Sequence, residues 1–147
     1  MKTFFSEHQV RWDNLDANGH MRNSAYLDLS VQARFDFFAA GGFTPAEFAR
    51  HGVGPVVLSE TLTYKQECFL LETLRIEVRI TQIKEDGSRF SLVTDIYKSG
   101  GELAATVSVD AAVFHLSRRR IGPAPESMLE ILKSGLANPD QENPESA

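Results

Sequence analysis

Apolar and polar residues alternate along several stretches of the second half of this chain, and a period of two predicts half-buried strands. Leu74, Ile76, Val78 and Ile80 alternate with Arg75, Glu77, Arg79 and Thr81. Phe90, Leu92, Thr94 and Ile96 repeat the pattern, as do Leu103, Ala105, Val107, Val109, Ala111 and Val113. Glu85-Asp86-Gly87 and Ser99-Gly100-Gly101 separate these runs and read as hairpin turns. Residues 56–65 give an earlier strand, and residues 4–12 a first one that stops at the turn signal Asp13-Asn14.

Residues 27–37 also alternate, yet three features favour a helix over 23–40. The run is long for a strand. Asn23 and Ser24 are good N-cap residues, and Gly41-Gly42 is a natural stop. Projected at about 100° per residue, Leu27, Val31, Phe35 and Phe38 form one apolar face. Tyr26, Leu29, Ala33, Phe37 and Ala40 form a second, roughly opposite, with Asp28, Gln32 and Asp36 between them. Two apolar faces predict a helix enclosed on both sides, by a curved sheet and by a second subunit. A short helix is predicted over 45–50, capped by Thr44 with Pro45 at its first position, and a last one over 123–133. The order is strand, long helix, then four strands in an antiparallel meander. That is an α+β domain in which one sheet wraps one helix. Residues 1–136 form a single domain in this reading, and the polar, proline-bearing tail 137–147 is expected to be disordered.

Composition narrows the function classes. At 147 residues the chain is large enough for a real core. A net charge of −5 argues against nucleic-acid binding, which needs a basic surface, but leaves room for a small basic pocket. One cysteine, Cys68, rules out an internal disulfide and a cysteine-rich metal site. It reads as a packed thiol. His8, His20, His51 and His115 lack ligand spacing, so no metal is expected. No Gly-x-Ser-x-Gly is present, which leaves a serine-hydrolase route unsupported. With neither a signal-peptide pattern nor about 18 consecutive apolar residues, a cytoplasmic protein without a membrane span is expected.

The chemistry concentrates in Asp16-Ala17-Asn18-Gly19-His20-Met21-Arg22-Asn23. A carboxylate in a turn stands just before a helix start, where exposed N–H groups can hold an oxyanion. Such a pair suits attack on a carbonyl carbon, with a thioester as a strong candidate. From position alone Asp16 also reads as a turn aspartate capping a nearby amide.

The stretch from Val10 to Leu27, with Arg11-Trp12, Asp16-x-x-Gly19-His20, Asn23 and Tyr26, closely resembles the opening of the hotdog-fold acyl-CoA thioesterases of the 4-hydroxybenzoyl-CoA thioesterase branch. Gln32-Ala33-Arg34 resembles the Glu-Ala-Arg that often follows on the helix. The resemblance implies a hotdog fold, with a five-stranded antiparallel sheet around one long central helix. It implies hydrolysis of an acyl-CoA to a carboxylic acid and free CoA, CoA being part of the substrate and no cofactor being needed. Asp16 takes the place of the nucleophile or general base, and the backbone N–H at Asn23 that of the oxyanion site, with Gly19 and His20 in the connecting loop. Sites of this family form between subunits, so a homodimer or homotetramer is implied. Apolar side chains of the helix and a neighbouring subunit would line the acyl tunnel. The chain departs from the family at Arg22, usually Asn, at Val31-Gln32, where a Glu pair is common, and at Cys68 and Glu72-Thr73.

The remaining candidates keep two readings each. His20 is either a general acid for the leaving thiolate or a brace of its loop. A thiol pKa of about 8.5 makes protonation dispensable and favours the brace. Glu60 falls in phase with Val56, Leu58, Leu62 and Tyr64 and points inward, as a second catalytic group or half of a buried pair with an arginine. Tyr26 is expected beside the substrate. Arg22, Arg89 and the run Arg118-Arg119-Arg120 are solvated charges or partners for the phosphates of CoA. Two rival functions are a thioesterase for acyl carrier protein and a non-catalytic module that binds acyl-CoA or protein.

Overall fold

The computed structural model describes residues 3–136; the tail expectation for 137–147 lies outside the described residues. Along the chain come β1 (Phe4–Gln9), a 3-10 turn (Trp12–Asn14), α1 (Asn23–Ala40), α2 (Pro45–His51) and β2 (Val53–Tyr64). β3 (Thr73–Ile83), β4 (Arg89–Tyr97), β5 (Leu103–His115), β6 (Arg120–Ile121) and α3 (Glu126–Ser134) follow. The strands form one antiparallel sheet in the order β1-β3-β4-β5-β2, with the two-residue β6 beside β5.

The alternating apolar residues align across this sheet. Phe4, Val78, Thr94, Val107 and Leu62 form one cross-strand row. Ile80, Leu92, Val109 and Glu60 form another. This face carries the core, and α1 lies on it, touching β1, β3, β4 and β5. Ala25, Ser30 and Ala33 are small and buried, which lets the helix approach closely. Tyr26, Leu29 and Phe37 fill the space between, each large side chain contributing about 1.5–3 kcal/mol. Gly42, at φ +95, ends the helix in a conformation other residues rarely adopt. Phe43, Phe48 and Phe38 then pack edge-on around that end. α3 buries Met128, Ile131 and Leu132, and the chain just after it accepts a hydrogen bond from the Ile80 N–H at the Gly135 carbonyl.

Two expectations change. The last four long strands are not a simple meander, because β2 pairs with β5 and not β3. Residues 65–72 carry the chain from one sheet edge to the other side, without a hairpin turn to hold β2 next to β3. The first strand ends at Gln9 rather than Trp12. There the Val10 N–H turns to the Glu72 carbonyl, and Asn14 Oδ1 accepts the Arg11 N–H at 2.9 Å. The face of α1 that carries Val31 and Phe35, expected against a second subunit, is left partly open among the described residues, with these side chains 36% and 40% exposed. No helix among the described residues is long and apolar enough to cross a membrane.

Candidate active site

The loop between the 3-10 turn and α1 is closed by a bridge between Leu15 and Met21. The Asp16 N–H donates to the His20 carbonyl at 2.8 Å, and the Gly19 N–H to the Asp16 carbonyl at 3.2 Å. Gly19 makes the reversal at φ +83. Asp16 Oδ1 accepts the N–H groups of Asn18 (2.8 Å) and His20 (3.3 Å). Its side chain thus caps its own turn, and Asp16 is exposed on the surface of the single chain. A second attachment fixes the loop from below, where the Met21 N–H donates to the Cys68 carbonyl at 2.8 Å.

His20 bridges to Phe69 through the main chain and lays its ring edge-on against Phe69, with centroids 5.7 Å apart. Its Nε2 stands 3.5 Å from Glu67 Oε2. These are contacts that hold the loop against residues 67–69. Neither Glu67 nor Phe69 was legible as a site neighbour, since the segment 65–72 carries no periodic signal.

Helical geometry begins at Asn23, and the N-cap is Arg22, not Asn23 as the capping preference predicts. The Arg22 backbone is extended (φ −66, ψ 150), with its N–H on the Asn14 carbonyl at 2.7 Å. Its guanidinium bonds the Asp13 carbonyl and Ser24 Oγ, and faces Asp28, so it is engaged locally. Among the described residues no side chain caps the first turn of α1, and no acidic residue stands in it. That leaves the positive end of the helix open to an anion.

Tyr26 is buried in the single chain. The α1 periodicity that groups it with Leu29, Ala33 and Phe37 turns it to the sheet. Its hydroxyl donates to the Gln66 carbonyl at 3.3 Å, and burial, reinforced by the neighbouring Cys68, pushes its pKa up. Burial likewise pushes the Cys68 thiol up. Tyr64, at the end of β2, packs edge-on on Tyr26 and donates from its hydroxyl to the Asn23 carbonyl at 3.1 Å. Only its inward phase on β2 hinted at this position.

Glu60 shares the inward row of Val109, Leu92 and Ile80. Its Oε1 lies 3.6 Å from Arg34 Nη1 on α1, a nitrogen that is buried without a hydrogen bond among the described residues. Burial lowers the Arg34 pKa, and Glu60 opposes that shift. Glu60 thus stands beside an arginine, as one of its two readings had it, with 27% of its side chain exposed. Beside Arg34, a cavity of about 210 Å³ opens between α1, β2 and the far ends of β4 and β5.

The other basic candidates lie elsewhere. Tyr64 sits opposite Ala105, and Val53 opposite His115. The ten steps from Ala105 to His115 along β5 put the Arg118–Arg120 end about 33 Å from the α1 tip. Arg119 stacks over Phe114 at 5.0 Å. Arg89, also toward that end, lines an open groove with Lys84, Ser59, Ser91 and Asp110. Hydrogen bonds from Ser91 and Ser59 hold the Asp110 carboxyl below the usual carboxylate range. Within one protomer, Asp16, Gly19, His20, Arg22, Asn23 and Tyr26 therefore gather at one end, Glu60 lies midway, and Arg89, Arg118 and Arg119 are remote. No set of three or more His, Cys, Asp or Glu side chains among the described residues is arranged to hold a metal.

A curled antiparallel sheet with α1 on its inner face, and a carboxylate loop feeding the helix start, defines a thioesterase-type architecture. The chain belongs to the thioesterase-like superfamily, which it matches over residues 10–132. Solved structures agree on the fold. A hypothetical protein from Staphylococcus aureus in complex with CoA superimposes with a TM-score of 0.84 at 21% identity, covering 93% of this chain and 87% of that one. A 1,4-dihydroxy-2-naphthoyl-CoA thioesterase from Synechocystis gives 0.81 at 16% identity, covering 90% and 96%. A DHNA-CoA thioesterase from Staphylococcus aureus gives 0.81 at 20% identity, covering 91% of each chain. No curated protein matches the chain in sequence.

Proposed function

We propose that this chain hydrolyses acyl-CoA thioesters to a carboxylic acid and free CoA, as a hotdog-type unit over residues 1–136 working in a cytoplasmic homodimer or homotetramer. The observation that carries the reading is the uncapped start of α1 beside the Asp16 turn. The first amides of α1, at Asn23, hold the thioester carbonyl oxygen and stabilise the negative charge that grows on it. Asp16 takes a proton from water as the water oxygen bonds to the carbonyl carbon, or attacks that carbon itself and is released by water afterwards. The C–S bond then breaks. CoA leaves as a thiolate that needs little help, since a thiol pKa is about 8.5. His20 and Gly19 keep the Asp16 loop in place, and Tyr26 supports α1 from beneath. CoA enters only as part of the substrate, and no cofactor takes part.

Asp16→Asn tests this directly. Thiol release from acyl-CoA is expected to fall at least about a hundredfold, the scale of a lost acid–base group, with the fold retained. Near-normal turnover would remove Asp16 from the mechanism. Tight acyl-CoA binding without turnover by the unaltered chain would point to a binding module instead.

A further inference from the structure

The cavity beside α1 is walled by Val31, Phe35 and Phe38 of the helix and by Val57, Leu92 and Ala111 of the sheet. Val31, Phe35 and Val57 keep 36%, 40% and 48% of their surface in water, so apolar surface at its rim is left uncovered. One charged side chain, Arg34, reaches the lining, and Glu60, 3.6 Å from its Nη1, opposes its charge. With that counter-charge beside it, Arg34 attracts an anionic guest only weakly, while the rest of the wall is apolar and desolvating such a guest is costly. The occupant is therefore uncharged and apolar.

Distance selects its shape. Val31 lies eight residues beyond Asn23, about 12 Å along the helix at 1.5 Å per residue. Phe38 lies about 22 Å along by the same measure. With C–C bonds of about 1.5 Å, an extended chain advances roughly 1.3 Å per carbon and needs about nine carbons to reach the cavity mouth. A benzoyl-sized acyl group, about 6 Å long, ends halfway. We infer that the cavity receives the far end of an extended, uncharged aliphatic chain, so that medium- and long-chain acyl-CoAs, rather than compact aromatic ones, are the substrate class. This rests on the hydrolase reading above.

The test is a thiol-release panel on the full chain with butanoyl-, octanoyl-, dodecanoyl-, hexadecanoyl-, benzoyl- and dodecanedioyl-CoA. Each methylene that enters the cavity is expected to raise kcat/KM about fourfold. Dodecanoyl-CoA should then exceed octanoyl-CoA at least about tenfold, with benzoyl-CoA ranking among the short chains and the dicarboxylic chain losing the gain. Val31→Trp fills the mouth from the helix side and should erase the dodecanoyl advantage. Val57→Trp does so from the opposite wall should the first variant fail to fold, as judged by thermal melting. Turnover with a flat length profile, including one caused by a second protomer filling the cavity, overturns this inference and leaves the hydrolase reading standing. So does an advantage that survives in both folded Trp variants. No turnover on any member overturns both.

Discussion

Asp16 commits one carboxylate oxygen to its own turn, and this separates its structural and chemical contributions. Oδ1 accepts two amide N–H groups. An asparagine keeps an oxygen at that place, whereas an alanine leaves both amides without it. Asp16→Ala is therefore expected to lower unfolding stability by about 1–2 kcal/mol, the usual loss for such a cap. Asp16→Asn should stay within about 0.5 kcal/mol of the parent, as an exposed substitution that preserves its hydrogen bonds. Urea unfolding of the three proteins checks this. Equal losses for both variants would mean that charge, not the acceptor oxygen, holds the turn. At this scale the sequence was informative where a residue type implies a backbone geometry: Asp16-x-x-Gly19 read as a turn, and it is one. It misled at the helix cap, because Arg22 serves through its main-chain conformation, which side-chain preferences do not encode.

Elements were legible where their ends carry punctuation. The helix runs Asn23–Ala40 and stops at the glycine pair, and the hairpins β3–β4 and β4–β5 form at the two glycine-bearing turns. The pairing of β2 was not, because strand neighbours depend on contacts between residues far apart in sequence, and alternation alone is silent about them. That pairing decides the fate of Glu60. Set against Val109 on the inner face, its carboxylate meets Arg34, whose side chain is 12% exposed. Glu60→Ala would leave the largely buried Arg34 guanidinium beside α1 without its counter-charge, and should cost about 1–2 kcal/mol, since the Glu60 carboxylate is partly solvated. The double variant Arg34→Met, Glu60→Leu removes both charges and is expected to recover most of that loss. Urea midpoints for the parent, the single variant and the double variant decide it. If the double variant is no more stable than the single, the pair is a surface contact with little coupling.

On the scale of the whole molecule, the arginine run and the Asp16 loop stand at opposite ends of the same strands, so one chain cannot bring both to one CoA. If the run serves the phosphates, it does so for the site of a second protomer in the proposed homodimer. That arrangement has a consequence that contact within a single chain would not share. An Asp16→Asn chain lacks the base but keeps its arginines. A chain carrying Arg118→Ala and Arg119→Ala keeps the base but lacks the phosphate partners. Homodimers of either are impaired at both sites. In a mixed dimer, one site combines the intact Asp16 of the second chain with the intact arginines of the first, and the other site lacks both. Random pairing makes about half the dimers mixed, so about a quarter of the parental sites are restored, provided the interface is isologous. Co-refolding the two variants and assaying thiol release at subsaturating acyl-CoA should therefore yield activity well above the mean of the separate proteins. Because phosphate contacts across a boundary are screened by salt, the deficit of the arginine variant should shrink as ionic strength rises. A mixture no more active than that mean would assign the arginines to solvent, and the phosphate contacts would then have to come from cations nearer the α1 tip.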